Sequence, residues 1–140
     1  MSINTKEIVV ADVMLKTDAF PIVREDKLFK ESLELMNSFC LGIACIVDSN
    51  NKLLSVITDG DIRRILLKSQ KPFSSLFVDD ISDYSSTEFK YVSPQSTLKK
   101  AVSLMGECKI WDLPVTDSTG KLMGLLHLHP AIKAVLKSYK

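Results

Sequence analysis

The pattern of hydrophobic and polar positions in residues 23–69 recurs 69 positions further along the chain. Sliding the sequence against itself by this distance gives eleven identities, including Leu35-Met36 with Leu104-Met105 and Asp48-Ser49 with Asp117-Ser118. Nearly every other aligned core position keeps its apolar character. The pattern therefore predicts two copies of one supersecondary unit.

Two helices are predicted in each copy. The first has apolar or small residues at i, i+3, i+4 and i+7, the spacing of one helix face: Phe29, Ser32, Leu33 and Met36 in copy one, and Leu98, Ala101, Val102 and Met105 in copy two. Ser96 is the expected N-cap of the copy-two helix. The second helix is predicted at residues 61–68 and 131–137, and Pro130 suits the first turn of the latter.

Three short strands complete each copy. A hairpin is predicted from residues 43–47 and 53–57 in copy one, and from residues 113–116 and 122–126 in copy two. Turn-forming Asp, Ser, Asn and Gly residues join the two strands of each hairpin. A further strand, at residues 19–23 and 89–92, precedes the first helix. Each copy is therefore a β-α-β-β-α unit.

The predicted fold class is α/β (α+β), with the two units packed sheet to sheet as one module. Three strands and two helices are too few to close a core alone, so each copy needs the other. We assign residues 8–69 to repeat 1 and residues 78–137 to repeat 2. Residues 70–77 contain Pro72 and two serines and are interpreted as the connection.

Charge and hydropathy exclude several classes of protein. Lys and Arg number 18 against 17 Asp and Glu, so no overall field favours nucleic acid or an anionic membrane surface. The longest apolar runs are far shorter than the roughly 20 residues that span a bilayer. Residues 1–10 do not have the pattern of a secretory signal. We expect a cytoplasmic protein that binds neither nucleic acid nor membrane.

The cysteines do not predict a disulfide or a metal site. Cys40, Cys45 and Cys108 have no CxxC spacing, and each has apolar neighbours. We expect all three to be small buried hydrophobic side chains. Trp111 and the aligned residues Met36 and Met105 are interpreted as core or interface residues rather than as contacts to a cofactor.

Candidate chemistry lies where the copy-one hairpin runs into its second helix, at Thr58-Asp59-Gly60-Asp61. A carboxylate here can accept hydrogen bonds from both ribose hydroxyls, and Thr58 with the helix N-terminus can bind phosphate. Gly60 allows a close approach of the backbone. Arg63 or Arg64 is suited to an anionic ligand or is simply solvated. The same spacing is also a capping box, which only satisfies helix donors, so both interpretations stay open.

The sequence Ser55-Val56-Ile57-Thr58-Asp59-Gly60-Asp61 resembles the nucleotide-binding signature of CBS (cystathionine β-synthase type) repeats. That family consists of β-α-β-β-α units in tandem pairs, which implies a regulatory module for this chain. The residues GLLHLH at 124–129 and ADVM at 11–14 are similar to the CBS pair of arabinose 5-phosphate isomerases. The residues TDGDIRR at 58–64 also resemble CBS pairs of sugar nucleotidyltransferases. The resemblance further implies that Pro21 and Ile22 line the nucleotide site.

Copy two departs from the signature, because His127 and Pro130 align with Thr58 and Asp61. A proline side chain accepts no hydrogen bond, so we expect one good nucleotide site per chain. His127 and His129 are expected to line the ligand site rather than to bind a metal, since no third metal ligand is apparent nearby.

No nucleophile, general base or P-loop pattern supports catalysis, so we expect no enzyme activity and no catalytic cofactor. The hypothesis is a sensor that binds AMP, ADP, ATP or a CMP-type nucleotide or nucleotide-sugar. It would control a partner or parent enzyme of sugar-phosphate or sugar-nucleotide metabolism. The alternatives are a structural dimerisation module and a detached regulatory fragment of one of the two enzyme families. A homodimer through helix faces that include Ile62, Ile65 and Leu66 is expected in either case.

Overall fold

A computed structural model describes residues 7–138. The order of helices and strands is β1 (Ile22–Arg24), α1 (Phe29–Phe39), β2 (Ile43–Val47), β3 (Leu53–Thr58), α2 (Asp59–Lys68), α3 (Phe73–Phe77), α4 (Leu98–Cys108), β4 (Asp112–Thr116), β5 (Leu122–His127) and α5 (Leu128–Lys137). Single 3₁₀ turns lie at Val10–Asp12 and Ile81–Asp83. The elements α1, β2, β3 and α2 recur as α4, β4, β5 and α5 with both ends shifted by 69 residues, which confirms the predicted repeat.

The backbone repeats in its unusual conformations as well. Cys40 and Lys109 end α1 and α4 with left-handed φ values of 56° and 55°. In the hairpin turns, Asn51 and Gly120 also have positive φ. These pairs are separated by the same 69 positions, so the two copies share caps and turns as well as hydrophobic spacing.

The two sheets differ in their first strand. In copy one, β1 is parallel to β2, and the Cys45 N–H donates to the Pro21 carbonyl at 3.0 Å. The strand predicted at residues 89–92 is instead a single parallel bridge between Val92 and Val115. Pro114 occupies the position equivalent to Cys45 and has no N–H to donate, so the ladder cannot extend toward residue 90.

The predicted helix boundaries are mostly confirmed, with small shifts. Helix α2 begins at Asp59 and α5 at Leu128, two and three residues before the predicted starts. Pro130 lies in the first turn of α5, as predicted. Ser96 is not the N-cap of α4, because Thr97 takes that position and its Oγ1 accepts a hydrogen bond from the Lys100 N–H at 3.3 Å. The connection at residues 70–77 includes the short helix α3.

The core confirms sheet-to-sheet packing. A central cluster combines copy-one residues such as Phe20, Cys45 and Val56 with Leu122 and Leu125 of copy two. Two outer clusters lie between each sheet and its helices. Met36 and Met105 are buried in these outer clusters, as predicted. Trp111 is not in the core, because most of its side chain is exposed.

Each copy lends the segment before its first helix to the other copy. Residues 8–15 pair with copy two through the bridges Val9–Thr97 and Leu15–Leu125. The segment around residues 79–86 pairs with copy one through Leu28–Asp80 and Val56–Ser86. We call these two stretches the leading segments. The division at residues 69 and 78 stays a sequence-based prediction, and packing crosses it in both directions.

Cysteine burial is mixed, and the expectation for Cys40 was wrong. Cys45 is buried and Cys108 half-buried, whereas Cys40 is exposed because it forms the left-handed C-cap after α1. Burial raises the pKa of the Cys45 thiol well above its ordinary value, so this thiol stays protonated. No helix within residues 7–138 is long and apolar enough to cross a membrane.

Candidate functional site

A cavity of about 1030 Å³ lies between the two copies. Its copy-one wall is the start of α2 together with Gly42 and Ile43 at the beginning of β2. Its copy-two wall combines residues 86–90 before α4, residues 108–112 between α4 and β4, and His127 at the end of β5. The cavity is therefore a property of the pair and of neither copy alone.

The sequence-predicted residues Thr58, Gly60, Asp61, Arg63 and Arg64 all line this cavity. The capping box is formed: the Thr58 N–H donates to Asp61 Oδ2 at 3.0 Å, and the Asp61 N–H donates to Thr58 Oγ1 at 3.2 Å. The Thr58 hydroxyl also donates to Asp61 Oδ2 at 3.0 Å. The cap therefore holds one carboxylate oxygen of Asp61 in a fixed position on the cavity wall.

The other carboxylate oxygen of Asp61 is paired with an arginine. Arg64 donates to Asp61 Oδ1 at 2.7 Å, and the arginine side chain is 54% exposed. Exposed ion pairs contribute little, about 0–1 kcal/mol, so a ligand can displace this arginine at small cost. A β-carbon at Gly60 would lie 3.3 Å from the Arg64 guanidinium, so glycine leaves room for that side chain.

Gly42 allows the start of β2 to lie against the start of α2 in the copy-one wall. Its carbonyl accepts a hydrogen bond from the Asp59 N–H at 3.0 Å, and a β-carbon there would lie 2.5 Å from Asp59 Oδ2. Trp111 occupies the equivalent position in copy two, and its carbonyl accepts from the Leu128 N–H at 2.9 Å. The two copies thus keep this backbone bond but place very different side chains beside the cavity.

Asp112 is a site residue that sequence reasoning missed. It pairs with His127 across the last register position of the β4–β5 hairpin, and His127 Nδ1 lies 2.7 Å from Asp112 Oδ1. The Asp112 side chain is 8% exposed and that of His127 is 21% exposed. Burial raises the pKa of the Asp112 carboxyl above its ordinary value of 3.8; the hydrogen bond to His127 opposes this rise, and the Asp59 charge adds to it.

Charged side chains of both signs line the cavity in equal number. Four are acidic: Asp59, Asp61, Glu88 and Asp112. Four are basic: Arg63, Arg64, Lys90 and Lys109. When all eight are ionised, their charges cancel.

Three predicted residues lie outside the lining of this cavity. Pro21 is buried and Ile22 packs against the central cluster. The residues equivalent to them by the 69-residue repeat are Lys90 and Tyr91, and Lys90 does line the cavity. His129 lies in a shallow groove on α5. Within residues 7–138, no group of three His, Cys, Asp or Glu side chains could hold a metal ion.

The comparisons with known proteins define the class of this protein. The family model of the CBS domain matches residues 10–68 and 81–136. The chain belongs to the CBS domain family and contains a tandem CBS pair. CBS pairs are generally regulatory modules. The resemblance to the family is thereby confirmed.

Curated relatives are longer proteins. An uncharacterized protein of Helicobacter pylori strain J99 is 33% identical over 89% of this chain and 37% of its own length. The arabinose 5-phosphate isomerase KdsD of Francisella tularensis is 30% identical over 91% of this chain and 38% of its own length. The chain thus spans somewhat more than a third of these relatives.

A solved structure covers nearly the whole chain. CBSX2 in complex with AMP superposes with a TM-score of 0.82 and 26% identity, covering 95% of this chain and 99% of that one. CBSX2 is a CBS-pair protein from Arabidopsis thaliana. The mixed α and β fold with two CBS repeats is confirmed.

Proposed function

We propose that this CBS pair is a regulatory module that binds an adenosine or cytidine nucleotide in the cavity between its repeats. The observation that carries the proposal is the Asp61 carboxylate, which the Thr58 cap fixes on the cavity wall. The AMP complex of CBSX2, a structural relative, supports a nucleotide as the class of ligand.

The proposed ligand occupies the site in a definite way. Asp61 accepts hydrogen bonds from the vicinal ribose hydroxyls after exchanging Arg64 for them, and charge assistance makes such bonds strong. The phosphate lies near Thr58 and the N-terminus of α2, where the helix dipole favours an anion. Arg63 and the released Arg64 both line the cavity and neutralise the phosphate charge. The base is directed toward the copy-two wall that contains Trp111.

We further propose that the nucleotide controls a partner or parent enzyme of sugar-phosphate or sugar-nucleotide metabolism. The isomerase KdsD among the relatives supports the first of these enzyme types. A ligand that bridges both copies changes their relative stability and hence the contacts that they offer to the enzyme. A cytoplasmic location and a homodimer belong to the same proposal.

The test is a thermal-shift screen of AMP, ADP, ATP and CMP. A ligand at a hundred times its Kd stabilises the fold by about 2.7 kcal/mol, which gives a clear rise in Tm. The chain has one tryptophan, and Trp111 lines the cavity, so its fluorescence offers a second readout of binding. Absence of any nucleotide response in both measurements would reject the proposal.

Asp61→Asn isolates the ribose contact. Asparagine can still accept the Thr58 N–H, so the cap is largely kept while the charge is lost. We expect about a ten- to hundredfold loss of affinity, the effect of about 1.5–3 kcal/mol for a charge-assisted bond. Asp12→Asn is the matched control, because Asp12 accepts the Val9 N–H in a similar way outside the cavity. Wild type should bind a 2′-deoxynucleotide more weakly than the ribonucleotide, whereas Asp61→Asn should bind the two equally.

A structural module without a physiological ligand is the second candidate. The complete capping box favours it, because Thr58 and Asp61 satisfy each other without any ligand. In that case Asp61→Ala lowers the stability of the free protein by about 1 kcal/mol, and no nucleotide changes the Tm of either protein.

A further inference from the structure

Copy one has no counterpart of the hydrogen bond between the Asp112 and His127 side chains. The equivalent residues in the first hairpin are Ile43 and Thr58, which occupy the same last register position. A buried carboxylate is costly unless it is paired, and His127 is the hydrogen-bond partner of Asp112 among the described residues. The pair is therefore maintained against a desolvation cost at the wall of the cavity.

The hydrogen bond to Asp112 fixes which ring nitrogen of His127 remains for a ligand. Nδ1 lies 2.7 Å from Asp112 Oδ1, and a hydrogen bond to the ionised carboxylate requires the proton on Nδ1. Within the described part of the chain, Nε2 has no hydrogen-bond partner, although His127 lines the cavity. A histidine oriented through Nδ1 presents Nε2 as its reactive nitrogen, the arrangement that also orients metal-bound and catalytic imidazoles.

We propose that His127, positioned by Asp112, binds the phosphate group of the nucleotide through Nε2. This assignment rests on the proposed function and adds a specific residue of copy two to the phosphate site. Asp112 acts through the ring and is a positioning residue. The phosphate is then held between the end of β5 and the N-terminus of α2, so the ligand joins both copies.

The electrostatic surroundings favour an anion when the ring is charged. The Asp112 carboxylate lies 2.7 Å from Nδ1 of the ring, and the charge of Asp59 on α2 acts on Asp112. From α5, the His129 ring centroid lies 5.5 Å from that of His127. From β2, the buried Cys45 thiol is uncharged. A charged His127 ring adds a cation of copy two to the arginines of α2 that line the same cavity, which favours a phosphate.

The test follows the His127 ring by NMR in the presence of AMP and of adenosine. The chain has two histidines, and His129→Gln assigns their two sets of ring signals. We expect saturating AMP to move the midpoint of the His127 titration to higher pH, whereas adenosine binds without moving it. An unchanged or lowered midpoint in the presence of bound AMP would overturn the assignment.

Two variants give an independent measurement. His127→Thr introduces the residue that copy one has at this position, and AMP affinity should fall about tenfold while adenosine affinity stays within about twofold. Asp112→Asn keeps a hydrogen-bond acceptor for Nδ1 and is expected to fold. It therefore provides the measurement if His127→Thr does not fold. There the His127 midpoint should move to lower pH and AMP should bind several-fold more weakly. Equal AMP affinity in wild type and Asp112→Asn contradicts the inference.

The outcome separates this inference from the proposed function. If AMP and adenosine bind but neither midpoint nor variant affinities change, only the role of His127 is wrong. If neither ligand produces a thermal or fluorescence response in wild type, the proposed function fails and the role of His127 fails with it.

Discussion

In the two repeats, α1, β2, β3 and α2 share both boundaries with α4, β4, β5 and α5 at a distance of 69 residues, yet the last helices begin differently. Copy one has Thr58 and Asp61 in a closed capping box, whereas His127 of copy two makes no cap bond and pairs with Asp112 instead. The same backbone conformation therefore accommodates a capping box at the end of β3 and an uncapped histidine at the end of β5. The difference shows that fold and ligand chemistry are separable here: one repeat supplies a carboxylate and the other a histidine to a shared cavity.

The strongest test of equivalence between the repeats concerns Leu67 and Leu136. They occupy the same repeat position and are 80% and 66% exposed on α2 and α5. By contrast, Ile62 and Ile65 already pack partly against the copy-one core. Burying a leucine is worth about 1.5–3 kcal/mol, so Leu67→Glu with Leu136→Glu should convert the proposed homodimer into a monomer. Light scattering at micromolar concentration measures this.

Exposed cations on the same helices provide the control for the dimer experiment. Lys68→Glu with Lys137→Glu changes charge at adjacent positions without removing apolar surface, and the dimer should persist. A wild-type monomer at the same concentration contradicts the proposed assembly.

Gly124 on β5 also breaks the symmetry between the repeats. Its counterpart is Ser55, but a β-carbon at Gly124 would lie 2.7 Å from the Leu15 carbonyl. The backbone there cannot move away easily, because the Leu15 and Leu125 N–H groups each donate to the other residue's carbonyl. Gly124→Ser should cost about 1–3 kcal/mol of stability, measured by denaturant unfolding.

Gly106 gives the opposite expectation from the same kind of substitution. It lies on the exposed side of α4, and no atom lies within 4 Å of an added β-carbon. Gly106→Ala should therefore stabilise by about 0.5–1 kcal/mol through helix propensity. Equal effects at the two glycines would show that crowding by the leading segment is not the cause.

The third prediction concerns the number of nucleotides bound. With Asp61 in copy one and Pro130 in copy two, calorimetry of wild type should find one strong site per chain. Pro130→Asp restores the missing carboxylate in copy two and keeps His127 for the first site. We expect this variant to bind a second nucleotide, about tenfold more weakly than wild type binds its first. Two equal sites in wild type would refute the asymmetry.

The smallest expected effect is an acid dependence common to both repeats. The pKa of Asp48 is lowered mainly by the Lys52 N–H, and that of Asp117 mainly by the Thr119 hydroxyl. Lowered values mean that both carboxylates stabilise the fold above their ordinary pKa of 3.8, and that this stability is lost as pH falls through the folded values. Asp48→Asn and Asp117→Asn should each make the free energy of unfolding depend less on pH below about pH 4, measured by denaturant unfolding at several pH values. Glu34→Gln on α1 serves as the control.

Hydrophobic spacing predicted the repeat, its helices and its hairpins, because these depend on residues close in sequence. It did not predict how the leading segments exchange, since the partner of Leu15 is Leu125 and no local pattern encodes that pairing. The same exchange explains why Pro21 and Ile22 lie outside the cavity while Lys90 lines it. Reasoning within one repeat cannot predict that the other repeat supplies one wall of the cavity.

The Asp112–His127 pair depends on an irregularity of the β4–β5 hairpin. Next to the turn, Thr116 pairs with Leu122, and this register alone would place Asp112 opposite Leu126. A one-residue shift between Val115 and Thr116 brings Asp112 opposite His127 instead, so that a carboxylate and an imidazole face each other at the end of the strand pair. Alternation of hydrophobic residues does not reveal such a shift, and the pair could therefore not be predicted from the turn alone.

The exchanged leading segments also constrain how the chain can fold during synthesis. Leu15 is complete 110 residues before its partner Leu125 leaves the ribosome. At about 5–20 residues per second, the first leading segment waits roughly 5–20 s without its native neighbours. Repeat 1 also lacks the segment that pairs with β3 until Ser86, 17 residues beyond Ser69, has been added. The final closure is therefore a late, long-range event, and a neighbouring nascent chain that supplies residues 97–125 first would yield an intertwined pair.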